Sequence, residues 1–139
     1  MRSSSSSNIN KISTSFLLPY LICFSLYIQI FGEVSPGGGF QAGSLFATCL
    51  IGYDISVADI KMMISPNLLA RIGATGILIY WFVGFFGLIF GRKFFDYDAF
   101  LFIVSQEYAH ILGIIIIEFG VGIAVSSTIF LIYRELYAK

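Results

Sequence analysis

The sequence predicts an all-α integral membrane protein with four transmembrane helices and a glycine-rich turn between the first and the second. The first reason is composition: of 139 residues, 58% are hydrophobic and only 12% are charged, with a mean hydropathy of +0.89. Soluble domains carry about 25% charged residues. The second reason is that the apolar residues form four segments, most of them close to the roughly 20 residues that a helix needs to cross a bilayer core. A chain of this length leaves no room for a soluble catalytic domain beside them.

Four segments are predicted as spans. Their approximate limits are 12–31, 37–55, 72–90 and 111–133, between an N-terminal tail, 1–11, that we expect to be disordered and a C-terminal tail, 134–139. The first segment resembles the apolar part of a signal peptide. It is longer than is typical of one, and no small-residue cleavage site follows it, so we expect it to be retained. The second is strongly apolar only over 40–53 and is either a short span or a re-entrant hairpin.

The basic residues indicate how the spans are oriented. With four full spans, the N-terminus, the loop over 54–71 and the C-terminus share one side of the membrane and hold six of the eight Lys and Arg residues. By the positive-inside rule, both termini then face the cytoplasm at the cell (inner) membrane. A re-entrant second segment divides these residues less cleanly, so their distribution favours four spans.

Composition also bears on ligands. The basic residues are scattered and form no patch suited to nucleic acid. Cys23 and Cys49 both fall inside apolar stretches, where a small polarizable core residue is the ordinary interpretation, and their spacing supports neither a disulfide nor a metal pair. We therefore predict neither a metal site nor a cofactor.

A run of turn-forming residues connects the first two spans. The residues predicted to shape this turn are Pro36, Gly37, Gly38, Gly39, Phe40 and Gly43. Three successive glycines are costly in conformational entropy, and they do not form a phosphate-binding loop, because no Lys-Ser or Lys-Thr pair follows them. Inside a membrane, non-helical backbone is tolerated only where protein or a water-filled cavity surrounds it. The run therefore predicts a packed turn that is able to line an ion path.

Small residues mark the faces on which the last two spans pack. In the third span, Gly73, Gly76, Gly84 and Gly87 fall within an arc of roughly 80° at about 100° per residue. In the fourth span, Gly113 and Gly120 belong to a ridge of small residues. Such stripes allow close approach of another helix, which is how membrane helices largely associate. The sequence leaves open whether the partner helix belongs to this chain or to another.

One acid lies inside the fourth span. Glu118 is roughly 10 Å deep at about 1.5 Å per residue, and a carboxyl group there marks an ion or proton path by default. Glu107 and His110 lie near the same helical face, so the three residues are predicted to form a polar column. The alternative for Glu118 is a buried acid that only fixes a contact with a neighbouring chain. The alternative for Glu107 and His110 is that they are ordinary solvated residues at the interface.

Three short motifs occur in a fixed order along the chain. The first is Phe-Gly-x-x-Ser-Pro-Gly-Gly-Gly-Phe-Gln-Ala-Gly at 31–43. The second is the segment at 92–97, and the third is His-Ile-Leu-Gly at 110–113 followed by Ile-Glu-Phe-Gly-Val-Gly-Ile at 117–123. In their order and spacing these motifs resemble the B-type component of Mrp-type multisubunit Na⁺/H⁺ antiporters, the MnhB family. The resemblance covers residues 12–133, although Tyr108-Ala109 stands where members of the family often have Gly-Gln.

The resemblance implies a four-span inner-membrane subunit of an antiporter with six or seven subunits, a secondary transporter component and not an enzyme. Its expected partners are the other membrane subunits and the lipid bilayer, and the transported ions are Na⁺ and H⁺. Within that function, Glu118 is the residue expected to handle ions. Two alternatives remain open: a purely structural assembly subunit, and a small subunit of a related membrane-bound hydrogenase or complex I-like assembly. A self-contained homo-oligomeric channel is disfavoured, because nothing repeats and no charged ring is evident.

Overall fold

The computed structural model describes residues 2–32, 36–56 and 64–137, without the side chains of 2–8, 10, 106 and 107. Within these ranges the chain is helical and contains no strand, which confirms the all-α part of the predicted fold class. The helices are α1 (Arg2–Phe31), α2 (Gly39–Ser56), α3 (Pro66–Ile89) and α4 (Gln106–Tyr137), with a short 3-10 helix (Tyr97–Phe102) between α3 and α4.

Three of these helices are long and apolar enough to cross a membrane: α1 from Lys11, α3, and α4 from Tyr108. The α2 helix has 18 residues and includes both Gln41 and Asp54, and it is not among the three. The structure therefore supports a multi-pass membrane protein, and the fourth span stays a prediction.

The helices begin and end differently from the predicted spans, because hydrophobicity does not set where backbone hydrogen bonding stops. The α1 helix starts at Arg2, within the stretch that we expected to be a disordered tail. The helical ladder extends through the serines, whose helix propensity is only moderately below that of alanine. The α3 helix starts at Pro66, earlier than the predicted residue 72, because the Ser65 side chain accepts a hydrogen bond from the Leu68 N–H and proline suits the first helical position.

The four helices pack in the order α1, α2, α4, α3. The α2 and α4 helices run parallel: Gly39 lies against Glu118, Gly43 against Gly122, and the Asp54 side chain bonds to Tyr133. The α1 helix runs antiparallel to α2, with a hydrogen bond of 3.0 Å between the hydroxyls of Thr14 and Ser56 near one end. At the other end the two helices are joined by the glycine-rich turn.

The α3 and α4 helices touch main chain to main chain. A Cβ atom added at Gly76 would lie 2.6 Å from the Ala124 nitrogen, and one added at Gly120 would lie 2.8 Å from the Gly76 carbonyl oxygen. Gly73 faces the Ser127 hydroxyl in the same interface. The helix that fills this part of the glycine stripe therefore belongs to the same chain.

Gly84 and Gly87 of α3, and Gly113 of α4, pack on the loop between these helices and not on another helix. Gly84 packs on the rings of Phe94 and Phe95, Gly87 on the Lys93 carbonyl oxygen, and Gly113 on the ring of Tyr97. The segment between α3 and α4 folds back between them, and Phe100 stacks on Phe86 with ring centroids 4.9 Å apart. The stripe thus serves two partners, α4 along one half of α3 and this loop along the other.

The close contact at Gly76 generates the first prediction. Gly76→Ala places a methyl group on α4 backbone atoms that cannot move independently, so we expect a loss of about 1–3 kcal/mol of stability. The matched control is Gly52→Ala in α2, where the nearest atom to an added Cβ is a Thr14 methyl carbon at 3.7 Å. The measurement is the melting temperature of each detergent-solubilised variant, followed by fluorescence-detected size exclusion. Equal melting temperatures for the two variants would contradict the assigned interface.

Candidate functional site

The glycine-rich turn lies directly on the carboxylate of Glu118. A Cβ atom added at Gly38 would lie 3.2 Å from Glu118 Oε1, and one added at Gly32 would lie 2.8 Å from Oε2. Gly39 contacts the main-chain carbonyl of the same residue. These four residues, Gly32, Gly38, Gly39 and Glu118, are called the turn–acid site below. The sequence predicted both the turn and the acid, but not their contact.

Glycine is required in this turn for two separate reasons. Gly38 has a φ angle of +134°, which residues with a side chain rarely adopt. Gly39 needs to lack a side chain because the α4 backbone occupies the space that its Cβ would fill. Pro36 and Gly37 lie in the same turn, whereas Phe40 lies in the first turn of α2 and is 65% exposed. Gly43 lies one helical turn further on, where an added Cβ would be 2.6 Å from the Gly122 carbonyl oxygen.

The electrostatic setting of the Glu118 carboxylate follows from the end of α2. That helix begins at Gly39, and its first complete turn closes with the Ala42 N–H donating to the Gly38 carbonyl oxygen at 3.0 Å. The N–H groups that precede Ala42 point out of the helix end, which carries a partial positive charge. A carboxylate or another anion is favoured there. The turn therefore places Glu118 where a negative charge costs less than elsewhere in an apolar environment.

The turn–acid site lies far from the N-terminal end of α4, part-way along that helix. Both α1 and α2 stop at the level of Glu118, whereas α4 extends twelve residues further, back to Gln106, a distance of about 18 Å. The loop between α3 and α4 packs on this extension. The non-helical backbone of the turn is thus surrounded by protein on the α4 side, which is the condition for such backbone inside a membrane.

His110 belongs to a different group from Glu118. Its Nε2 atom lies 3.2 Å from Asp98 Oδ1, and Arg92 donates to the other oxygen of Asp98 at 3.3 Å. The His110 side chain is 57% exposed, and eight residues of α4, or about 12 Å, separate it from Glu118. Glu107 is in α4, but its side chain lies outside the described residues. The predicted polar column therefore remains a prediction.

The loop beside His110 contributes a half-buried phenol, Tyr97. The ring of Tyr97 lies against Gly113 and meets the His110 ring edge-on, with centroids 5.8 Å apart. Burial raises the pKa of Tyr97, and the neighbouring Tyr80 raises it further. The phenol therefore stays neutral at physiological pH, and its ring packs on α4 at Gly113.

A second charged group, which sequence reasoning missed, lies at the opposite end of the α2–α4 contact. The Tyr133 hydroxyl donates to Asp54 Oδ2 at 3.0 Å, and Arg134 Nη1 lies 4.0 Å from Asp54 Oδ1. The Asp54 and Arg134 side chains are only 13% and 15% exposed. The sequence did contain a signal for this group, because Asp54 and Arg134 lie at the ends of two predicted spans that finish on the same side of the membrane.

Two buried polar side chains of α1 were also missed. Ser25 donates to the Ala42 carbonyl oxygen at 2.8 Å, and the Gln29 side chain lies against Gly122 of α4. The sequence feature that could have identified them is their four-residue spacing, which places both side chains on one helical face of an otherwise apolar segment. Among the described residues, no three His, Cys, Asp or Glu side chains are grouped so that they could hold a metal ion.

Comparison with known proteins identifies the family of this chain. Residues 9–131 match the family described as a domain related to the MnhB subunit of Na⁺/H⁺ antiporters. The chain belongs to the MnhB family. It is 31% identical to the B-type component of the Na⁺/H⁺ antiporter of Alkalihalophilus pseudofirmus, over 78% of this chain and 82% of that relative. No solved structure matches the chain significantly. The matched region contains the turn–acid site and α4 as far as Leu131.

The Asp54 cluster generates the second prediction. Asp54→Leu removes the partner of a largely buried guanidinium, and breaking a buried pair in this way costs about 3–5 kcal/mol. We expect a large fall in the melting temperature of the solubilised protein, with much of the loss recovered in the double variant Asp54→Leu/Arg134→Leu. Glu135→Gln, at an exposed position next to Arg134, is the control and should leave the melting temperature unchanged. A double variant no more stable than the single one would contradict the pairing.

Proposed function

We propose that this chain is a membrane subunit of a multisubunit Na⁺/H⁺ antiporter and contributes to ion translocation at Glu118. Membership of the MnhB family supports the first part. The observation that carries the second part is the position of the Glu118 carboxylate, inside an apolar helix and at the N-terminal end of α2. The chain is then a transporter component and not an enzyme, and Na⁺ and H⁺ are the transported ions.

The proposal includes four spans with both termini in the cytoplasm. The α2 helix lies alongside both α1 and α4, and its 18 residues correspond to about 27 Å at 1.5 Å per residue. That length is close to a hydrocarbon core of about 30 Å. The Asp54 cluster then lies at the cytoplasmic side, near Arg134, and the turn–acid site lies towards the outer side. The distribution of Lys and Arg supports this orientation.

The expected partners are the other membrane subunits of the complex and the lipid bilayer. Large apolar side chains are exposed along α1 and α3, among them Phe16, Tyr20, Leu78 and Phe82. In a membrane this surface contacts lipid or neighbouring helices, as expected of a small subunit that is inserted into a larger assembly. The residues proposed for ion handling are Glu118, with His110 and Glu107 towards the outer interface.

Glu118→Gln tests the ion-handling part of the proposal. The amide keeps the size of the side chain but neither carries a negative charge nor releases a proton near neutral pH. We expect Na⁺-dependent ΔpH formation to fall at least about tenfold, equivalent to about 1.4 kcal/mol of barrier. The measurement uses membrane vesicles from antiporter-deficient cells that express the full set of subunits, with complex assembly checked on a native gel.

Glu135→Gln is the matched control, because it is the same substitution at an exposed position of the same helix. It should leave both exchange and assembly unchanged. Normal exchange by an assembled Glu118→Gln complex would place Glu118 outside the ion path. A complex that does not assemble would favour the structural alternative, in which Glu118 and the turn only hold α1, α2 and α4 together.

A further inference from the structure

A small, mainly apolar cavity with a few polar side chains in its wall lies beside the turn–acid site, between α1, α2 and α4. Its volume is about 160 Å³, and its polar lining comes from Ser25, Gln29 and Ser126. Gly43 and Gly122 form part of its wall, and Leu26 and Phe119, each about half exposed, stand at its rim. Gln29 and Gly122 are within one helical turn of Gly32 and Glu118, so the cavity lies about 6 Å from the turn–acid site along the helix axes.

Gln29 is the reason to expect an occupant in this cavity. Its side chain is 7% exposed, and in the part of the chain that the structure describes its Nε2 group has no hydrogen-bond partner. The Oε1 atom lies against the main chain of Gly122, where any side chain would displace it. Inside a bilayer, lipid tails cannot accept the amide hydrogens, so they need another acceptor.

Two hydroxyl groups in the cavity provide acceptors for the same occupant. Ser25 uses its hydrogen to donate to the Ala42 carbonyl oxygen at 2.8 Å, and Ser126 donates to the Ile123 carbonyl oxygen at 3.2 Å. Both oxygens therefore keep lone pairs that can accept a hydrogen bond. One donor and two acceptors are the two to four polar partners that a buried water requires, and a single water needs only roughly 10–15 Å³ of free volume.

We propose that this cavity holds water molecules, bound by the Gln29 amide and the Ser25 and Ser126 hydroxyls, that hydrate the turn–acid site from the α1 side. The consequence for ion transfer rests on the proposed function, whereas the hydration of the cavity does not depend on it. Water here gives Glu118 a polar medium in which to exchange a proton or a hydrated cation.

Cysteine accessibility tests the hydration directly. Ser126→Cys is a near-isosteric substitution in a background with Cys23→Ser and Cys49→Ala, within the full complex in native membranes. The probe is a small methanethiosulfonate ethylammonium reagent, which reacts with the thiolate and therefore needs water at the thiol. We expect Cys at position 126 to react at least about tenfold faster than Cys at position 78 in the same background. Leu78 is an exposed apolar position near the middle of α3.

Gln29→Leu in the Ser126→Cys background tests the role assigned to Gln29. It should slow the labelling severalfold, because it removes the donor that holds the water, whereas Leu26→Ile at the rim should not. Ser25→Cys provides a second reporter if the cysteine at position 126 prevents assembly. Equal labelling at positions 126 and 78 would overturn the proposal, as would labelling that Gln29→Leu leaves unchanged.

The labelling assay also tests for a rival occupant of the cavity, and its outcome can be told apart from a failure of the proposed function. Fast labelling in the isolated protein, with none in the complex, would mean that a side chain of another membrane component fills the cavity, and would overturn the water proposal. Failure of the proposed function appears instead as normal Na⁺/H⁺ exchange by the assembled Glu118→Gln complex. That result does not depend on the rate of labelling at position 126.

Discussion

The α4 helix contacts the main chain of both α2 and α3, and the other features of this protein depend on how closely it does so. At Gly39 and Gly43 on one side, and at Gly76 on the other, backbone atoms of α4 occupy the space where a side chain would begin. In a membrane, such close packing takes over the stabilising role that burial of apolar surface has in water. It also sets the register of α2 and α3 against α4, and the register determines which polar groups meet.

The α2–α4 contact has charged groups at its two ends. One end holds Glu118 beneath the glycine turn, and the other holds Asp54 with Tyr133 and Arg134. Charges are costly in the bilayer interior but much less so near its surfaces. Asp54 offsets its cost with a hydroxyl donor and a guanidinium. Glu118, the deeper group, lies at a helix end whose partial charge favours an anion.

This geometry gives a physical account of the glycine-rich motif in a member of the MnhB family. The turn must close over a carboxylate, adopt a positive φ angle at Gly38, and begin a helix whose N-terminal end faces Glu118. Each requirement alone could be met in other ways. Together they leave little room for side chains, because the turn, the helix end and the α4 backbone share one small volume.

Much of the architecture was predictable from the sequence. The long apolar segments predicted an all-helical membrane protein, because a helix satisfies its own backbone within a bilayer. The glycine run predicted the turn, and the isolated acid singled out Glu118, whose role in ion handling stays a prediction. Helix limits were less predictable, because capping by Ser65 and the extension of α1 to Arg2 depend on hydrogen bonding and not on hydropathy.

Only the tertiary structure decided which of these features lie together. Helical periodicity suggested a shared face for Glu118 and His110, and packing then added partners from elsewhere in the chain: the turn for Glu118 and Asp98 of the loop for His110. Asp54, Ser25 and Gln29 looked unremarkable along the chain, because their significance comes from partners on other helices. The sequence alone determined the membrane-embedded helical fold and the residue types available for a site. The register between helices, which arises from packing between distant segments, determined the site itself.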